Sequence, residues 1–199
     1  KNKPLIAHSI ILAKKCGFNK VIVSTDSKKY QKIAKKYGAE VPFLRPKQFC
    51  TDKSLDQAYL KHCYDWFLKK KYKIDIFVNL RPTTPFREHK VVIKAIETFL
   101  RKKLSSLRSA HLASETPFKW FKRNRNGFFK PMTKGHNLHT TNIGRQQFDP
   151  IYIPNGYVDI LKTNNFNKKN IFGKKMYVFV TNKVLEIDTP EDLKLIRKI

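Results

Sequence analysis

Apolar residues recur every three to four positions in several stretches of this chain, and short β-branched runs separate those stretches. Leu5, Ile6, Ile10, Leu12, Ala13 and Cys16 fall broadly on one side of a helix over Pro4 to Cys16, opened by proline and closed at Gly17. Lys20 to Thr25 is a β-branched run; Asp26-Ser27 then offer caps to a second helix running through Tyr30, Ile33, Ala34 and Tyr37 to Gly38. Glu40 to Leu44 reads as extended. Leu55, Tyr59, Cys63, Trp66 and Phe67 mark a third helix, Asp75 to Leu80 a strand, and Val91, Val92, Ala95, Ile96, Phe99 and Leu100 a fourth helix.

Beyond Ser105 the rhythm changes. Ser106 to Ser114 is extended, and Lys119 to Lys122 and Phe128 to Pro131 flank Asn124-Arg125-Asn126-Gly127 as a hairpin. Tyr152-Ile153-Pro154 leads into Tyr157 to Leu161, and a last strand, Met176 to Thr181, precedes a closing helix. Strands alternating with helices of this length predict an α/β fold with a mainly parallel, doubly wound sheet flanked by helices. Residues 1–199 form one domain, and the section at about 115–155 is a β-rich lid or oligomerisation arm inserted into it.

Size agrees with this, since 199 residues with 41% apolar content can bury a substantial core. No apolar run approaches the roughly 20 residues that span a bilayer, and no signal-peptide pattern is present. Cys16, Cys50 and Cys63 lack both zinc-site spacing and the density of a disulfide scaffold, so buried thiols in a reducing, cytoplasmic setting are expected. The net charge of +27 would ordinarily suggest nucleic acid, yet the lysines are spread through every element. With no zinc-finger spacing and no RNA-binding aromatic signature, a dedicated nucleic-acid partner is not expected, nor is a membrane.

Candidate chemistry lies just past the extended segments. Arg81-Pro82-Thr83-Thr84-Pro85-Phe86-Arg87 leaves the carboxyl end of a strand, where open α/β sheets bind anionic ligands. Its prolines stiffen the backbone, Thr83 and Thr84 offer hydroxyls, and Arg81 and Arg87 can grip carboxylate or phosphate. The alternative is a stiff loop with solvated arginines. Asp26 follows another extended run and is a ligand contact or a helix cap; Arg45, held before Pro46, suits a phosphate. Glu186 and Asp188 lie one residue apart, so extended backbone would put both carboxylates on one face to share a divalent cation, unless they only lead into the helix start at Thr189-Pro190. Arg145, Gln146 and Asn155 supply a cation and amides, with Asn155-Gly156 equally readable as a plain turn. His111, His136 and His139 show no metal-ligand spacing.

In order, Lys3-Pro4-Leu5-Ile6-Ala7, Val23-Ser24-Thr25-Asp26, Tyr37-Gly38-Ala39-Glu40-Val41-Pro42-Phe43-Leu44-Arg45-Pro46, Leu80 to Arg87, Pro154-Asn155-Gly156 and Ile187-Asp188-Thr189-Pro190-Glu191-Asp192 resemble the acylneuraminate cytidylyltransferase family along nearly the whole chain. The resemblance implies a Rossmann-like nucleotide-diphospho-sugar transferase fold, a homodimer, and use of CTP and Mg2+ to attach CMP to a sialic or related nonulosonic acid with release of pyrophosphate. It also implies that Arg45 and Asp26 serve the nucleotide. Arg81 stands where many relatives carry Gln for the sugar, beside Thr83 and Thr84, and Arg145, Gln146 and Asn155 fall in the sugar-side region. Asp188 matches the second carboxylate of the family's metal-binding Asp-x-Asp and is the implied catalytic residue, with Glu186 replacing the first. Alternatives are a nucleotidyltransferase for another sugar acid such as Kdo, and a noncatalytic binding module. Family members begin with a strand and a basic, Gly-rich phosphate loop; this chain opens at Lys1-Asn2-Lys3-Pro4. The expectation is therefore that the loop lies outside these residues and that they alone are inactive or nearly so.

Overall fold

The helices start and stop where local chemistry dictates. In the computed structural model, which describes residues 3–51, 53–168 and 170–198, with side chains followed in the last helix to residue 194, helix α1 spans Leu5–Lys15. It stops at Gly17, whose φ of +72° suits a residue without Cβ. Helix α2, Lys28–Lys36, is capped by Ser27, whose hydroxyl accepts from the Tyr30 amide at 3.4 Å; Ser27, not Asp26, is therefore the cap. Helices α3, Asp56–Lys69, and α4, His89–Arg101, follow the apolar stripes at Tyr59–Phe67 and Val91–Leu100. Lys1-Asn2 lies outside the described residues.

Strands β1 (Ile76–Asn79), β2 (Ser106–Leu112), β5 (Tyr152–Lys162) and β6 (Tyr177–Val180) form one mixed sheet in the order β1-β5-β2-β6. Because β5 pairs antiparallel with both β1 and β2, while β2 and β6 are parallel, β1, β2 and β6 point one way and β5 opposes them. The runs at 20–25 and 40–44 are extended but form a single parallel bridge, Ile22 to Glu40, instead of full strands. Val21 and Val23 are bonded to Glu40, and this segment also lines a cavity. A two-stranded hairpin, β3 (Phe121–Arg123) with β4 (Phe129–Pro131), turns at Gly127 and is followed by a short helix α5, Leu138–Asn142; helix α6, Pro190–Lys198, closes the chain.

Successive residues of β5 face opposite sides of the sheet and so build two cores. Val158 and Ile160 join Leu12, Val92, Ala95 and Phe99 on the side covered by α1 and α4. Leu161 joins Leu60, Phe166 and Ile171 on the side covered by α3. The register of β5 against β2 jumps between Arg108 opposite Asp159 and Ala110 opposite Pro154. Ser109 bridges this bulge, donating to Asn155 O at 3.0 Å and accepting from Val158 N at 2.9 Å. Bulges re-aim a strand, and this one carries Asn155-Gly156 to the loop that follows β1.

Candidate active site

A cavity of about 900 Å3 runs between the segment Phe18–Thr25 and the stretch from Tyr72 through β1 to Thr83. One end is apolar; the other is lined by Ser24, Thr25, Arg45, Tyr59, Asn79 and Arg81. Arg45 is held in place there. Its Nε donates to Ser24 Oγ at 3.1 Å, its Nη2 to Ser24 O at 2.5 Å, and its guanidinium lies 4.7 Å from the centre of the Tyr59 ring. A planar cation stacked on an aromatic face keeps donors free for phosphate or base. Tyr59 in turn accepts from Asn79 Nδ2 at 3.0 Å, and burial, reinforced by the charge of Asp56, pushes its hydroxyl up to about 12. Asp26 sits beside this end but is exposed.

The loop after β1 uses its two arginines differently. Arg81 Nη2 donates to Asp56 and, at 3.3 Å, to Asp159. Burial works against its charge, but these two carboxylates hold Arg81 above its ordinary value. Asp159 lies 3.4 Å from Arg108, whose guanidinium also rests over the Phe172 ring. Burial raises the Asp159 carboxyl, with Arg108 and Arg81 pulling the other way. Arg87, expected as a second anion grip, is instead buried and donates to Tyr157 O, Thr84 O, Arg81 O, Gly156 O and Ser9 Oγ. With its donors consumed by the backbone, it is a clasp that shapes the loop and has none to spare for a ligand.

Three segments meet at this loop. Thr84 is buried and its hydroxyl donates to Glu186 Oε1 at 3.3 Å; the same oxygen accepts a short hydrogen bond from Gly156 N. Thr83 O accepts from Ile187 N at 2.8 Å, which fixes the strand-like run that carries Glu186 and Asp188. A Cβ on Gly156 would lie 2.5 Å from Thr84 Oγ1 and 2.6 Å from Glu186 Oε1, so any larger residue would have to push the Thr84 hydroxyl and the Glu186 carboxylate out of their present places. Asn155 is buried just before it, its Nδ2 donating to Thr181 Oγ1 at 2.9 Å. Asp188 is exposed; its amide donates to Asp192 Oδ2, the carboxylate that also caps α6 through Thr189.

Magnesium takes oxygen ligands, keeps several waters, and needs only one or two carboxylates beside ligand phosphates. Exposed Asp188 has the chemistry of such a ligand, whereas Glu186 Oε1 is already engaged by Thr84 Oγ1 and Gly156 N, which leaves its other oxygen. Among the described residues no three or more His, Cys, Asp or Glu gather into a cluster. Arg145 and Gln146 are not brought to this rim by any contact of theirs. They lie exposed on a short helical turn, where Arg145 bonds Ser114 O.

Sequence reasoning missed Asp56, Tyr59, Arg108 and Asp159. Asp159 carried a readable signal: a lone carboxylate inside the apolar run Tyr157 to Leu161 must be paired when that run is buried. Asp56 and Tyr59 merely looked like one face of a helix, and nothing local distinguishes them.

The family model described as Cytidylyltransferase matches residues 1–199, and the chain belongs to that family. It is 27% identical over 202 residues to an N-acylneuraminate cytidylyltransferase of Escherichia coli O18:K1:H7, an alignment that covers 98% of this chain and 45% of that protein. The chain thus spans less than half the length of this relative. It is 38% identical over 100 residues to a CMP-N,N'-diacetyllegionaminic acid synthase of Legionella pneumophila, covering 48% of this chain and 41% of that one. In three dimensions it is similar to a CMP:2-keto-3-deoxy-manno-octonic acid synthetase complexed with CTP, with a TM-score of 0.69 at 15% identity, covering 98% of this chain and 87% of that one. The fold is therefore that of the nucleotidyltransferases.

Proposed function

We propose that this chain belongs to a catalytic domain that transfers CMP from CTP to the anomeric hydroxyl of a nonulosonic acid. The carrying observation is that Arg45 and the Arg81 loop line one cavity, while Gly156 and Glu186 are tied to that loop through Thr84 and Ile187 through Thr83. The sugar oxygen bonds to the α-phosphorus, the bond from that phosphorus to the bridging oxygen breaks, and pyrophosphate leaves with the electron pair; the hydroxyl proton passes to solvent. Two anions must be held together for this, so positioning and charge neutralisation are the protein's tasks. Arg45, stacked on Tyr59, orients the nucleotide. Arg81 faces the sugar carboxylate, and the backbone of the Thr83-Thr84 turn, clamped by Arg87, keeps it in place. Asp188 with Glu186 would hold Mg2+, which when bound neutralises phosphate charge.

We assign the protein to the cytoplasm, where nucleotide triphosphates reside, in keeping with its three free cysteines; among the described residues no helix is long and apolar enough to cross a membrane. We also assign the inserted section at about 115–155 to homodimer contact, because Trp120, Phe121, Phe128, Met132 and Leu138 are all exposed there.

The test is CMP-sugar formation by the polypeptide as its own cell makes it, given CTP, Mg2+ and a panel of N-acetylneuraminic, legionaminic and pseudaminic acids and Kdo. Turnover with a nonulosonic acid, abolished in Asp188→Asn with the fold unchanged by circular dichroism, is the expected outcome. Turnover confined to Kdo reassigns the substrate, and pyrophosphate release with none of the four sinks the proposal.

A further inference from the structure

We infer that Asp56 is an internal stand-in for the ligand's carboxylate, occupying Arg81 until a sugar acid displaces it; this rests on the cytidylyl-transfer reading. Arg81 and Arg108 face Asp56 and Asp159, two cations against two carboxylates. The cluster is balanced as it stands, so an arriving anion finds no surplus positive charge at Arg81. One carboxylate has to yield.

Burial decides which one. The Asp159 side chain is 4% exposed and is held between Arg81 and Arg108 on the sheet face under α3, so freeing it would strand a buried charge. The Asp56 side chain is 31% exposed, matching the 30% of Arg81, so water reaches both partners of this contact. Asp56 is also the first residue of α3, preceded by Leu55, which is 72% exposed and provides no side-chain cap. Once released, its carboxylate is stabilised by the uncapped amides and the positive end of that helix. It therefore has two resting places, one on Arg81 and one at its own helix terminus. A pair this exposed is weak, so its competition lowers the affinity of an incoming carboxylate by no more than about fivefold.

Asp56→Asn removes the competing charge and leaves the cluster one positive charge in excess. The assay is calorimetric binding of N-acetylneuraminic acid and, as a neutral control, its methyl ester, with CTP binding as a check on the fold. Asp56→Asn and Asp56→Ala are expected to tighten the acid measurably, by up to about fivefold, while leaving the ester and CTP unchanged. Arg81→Ala, in either background, is expected to erase the preference for acid over ester. Acid binding that Asp56→Asn leaves unchanged, or that strengthens equally for acid and ester, overturns the stand-in role and leaves cytidylyl transfer standing. Absence of acid, ester and CTP binding in every variant sinks the transfer reading and the stand-in with it.

Discussion

Arg87→Ala is expected to remove about 3 kcal/mol of stability, because Arg87 ties helix α1, the loop after β1 and the Gly156-Tyr157 stretch together. Its Nε donates to Tyr157 O at 2.5 Å, its Nη1 to Thr84 O at 2.5 Å and Ser9 Oγ at 3.1 Å, and its Nη2 to Arg81 O and Gly156 O, each at 2.6 Å. Truncation leaves four carbonyls without this donor in a place that is 8% exposed. Arg81 O keeps Thr84 N and Ser9 Oγ as donors, and each of the other three, left bare, costs about 1–3 kcal/mol, so at the low end they come to about 3 kcal/mol. Burying the cation has its own opposing cost: desolvation pulls the guanidinium down to about 10, a penalty of roughly 3 kcal/mol. Hydrogen bonds from a charged donor, each worth roughly 1.5–3 kcal/mol, offset that penalty in the native protein, and both vanish together on truncation. The residual loss is large against the ~5–15 kcal/mol of an ordinary domain. Urea unfolding followed by the fluorescence of Trp66 and Trp120 measures it, and Arg87→Lys, with a point charge that cannot fork to four carbonyls, is expected to recover less than half. A loss below about 1 kcal/mol in Arg87→Ala refutes the clasp, since it would mean that solvent satisfies those carbonyls as well as the guanidinium does.

Gly156→Ala is expected to destabilise by about 1–3 kcal/mol and to weaken ligand binding at Arg81, because the new methyl would press on Thr84 Oγ1, Glu186 Oε1 and Arg81 Cδ at 2.5, 2.6 and 3.2 Å; an unchanged melting temperature counts against the tight junction. The pH dependence of stability has a specific source in His62, whose ring meets Phe43 at 4.6 Å and whose value is lowered by burial. The unfolded chain then binds more protons than the native one, so stability is present above about 6.5 and is lost as pH falls through the depressed native value. Thermal melts of His62→Phe between pH 7 and 5 are expected to fall less steeply than wild type, and parallel slopes would discount His62.

How much of this was legible in the sequence varies from element to element for physical reasons. Helices α1 to α4 were readable because apolar stripes are local, as are the proline start and glycine stop of α1 and the serine start and glycine stop of α2, and each stripe ended up against a core. The extended runs at 20–25 and 40–44 were readable as backbone conformation but not as strands, since strand status depends on a partner elsewhere in the chain, and among the described residues only Ile22 and Glu40 pair here. The reversed direction of β5 was hidden for the same reason: a buried run such as Tyr157 to Leu161 looks alike whichever way it lies.

At the site, position along the chain located the right segments, while the roles within them were set by burial. Arg81 and Arg87 look equivalent in sequence, yet one is 30% exposed along its side chain and ion-paired, and the other is consumed by backbone oxygens. The overall charge of +27 misleads in the same way. It is a property of a lysine-covered surface, whereas the Arg81 cluster is locally neutral, with Asp56 and Asp159 set against Arg81 and Arg108. Surface lysines lie within a screened field that fades over about 10 Å at ordinary ionic strength, so they can gather anions without choosing among them. Choice has to come from the few groups that water cannot screen. In this fold those are the arginine on Tyr59, the glycine pressed against Thr84, and the carboxylates whose burial determines which of them can yield.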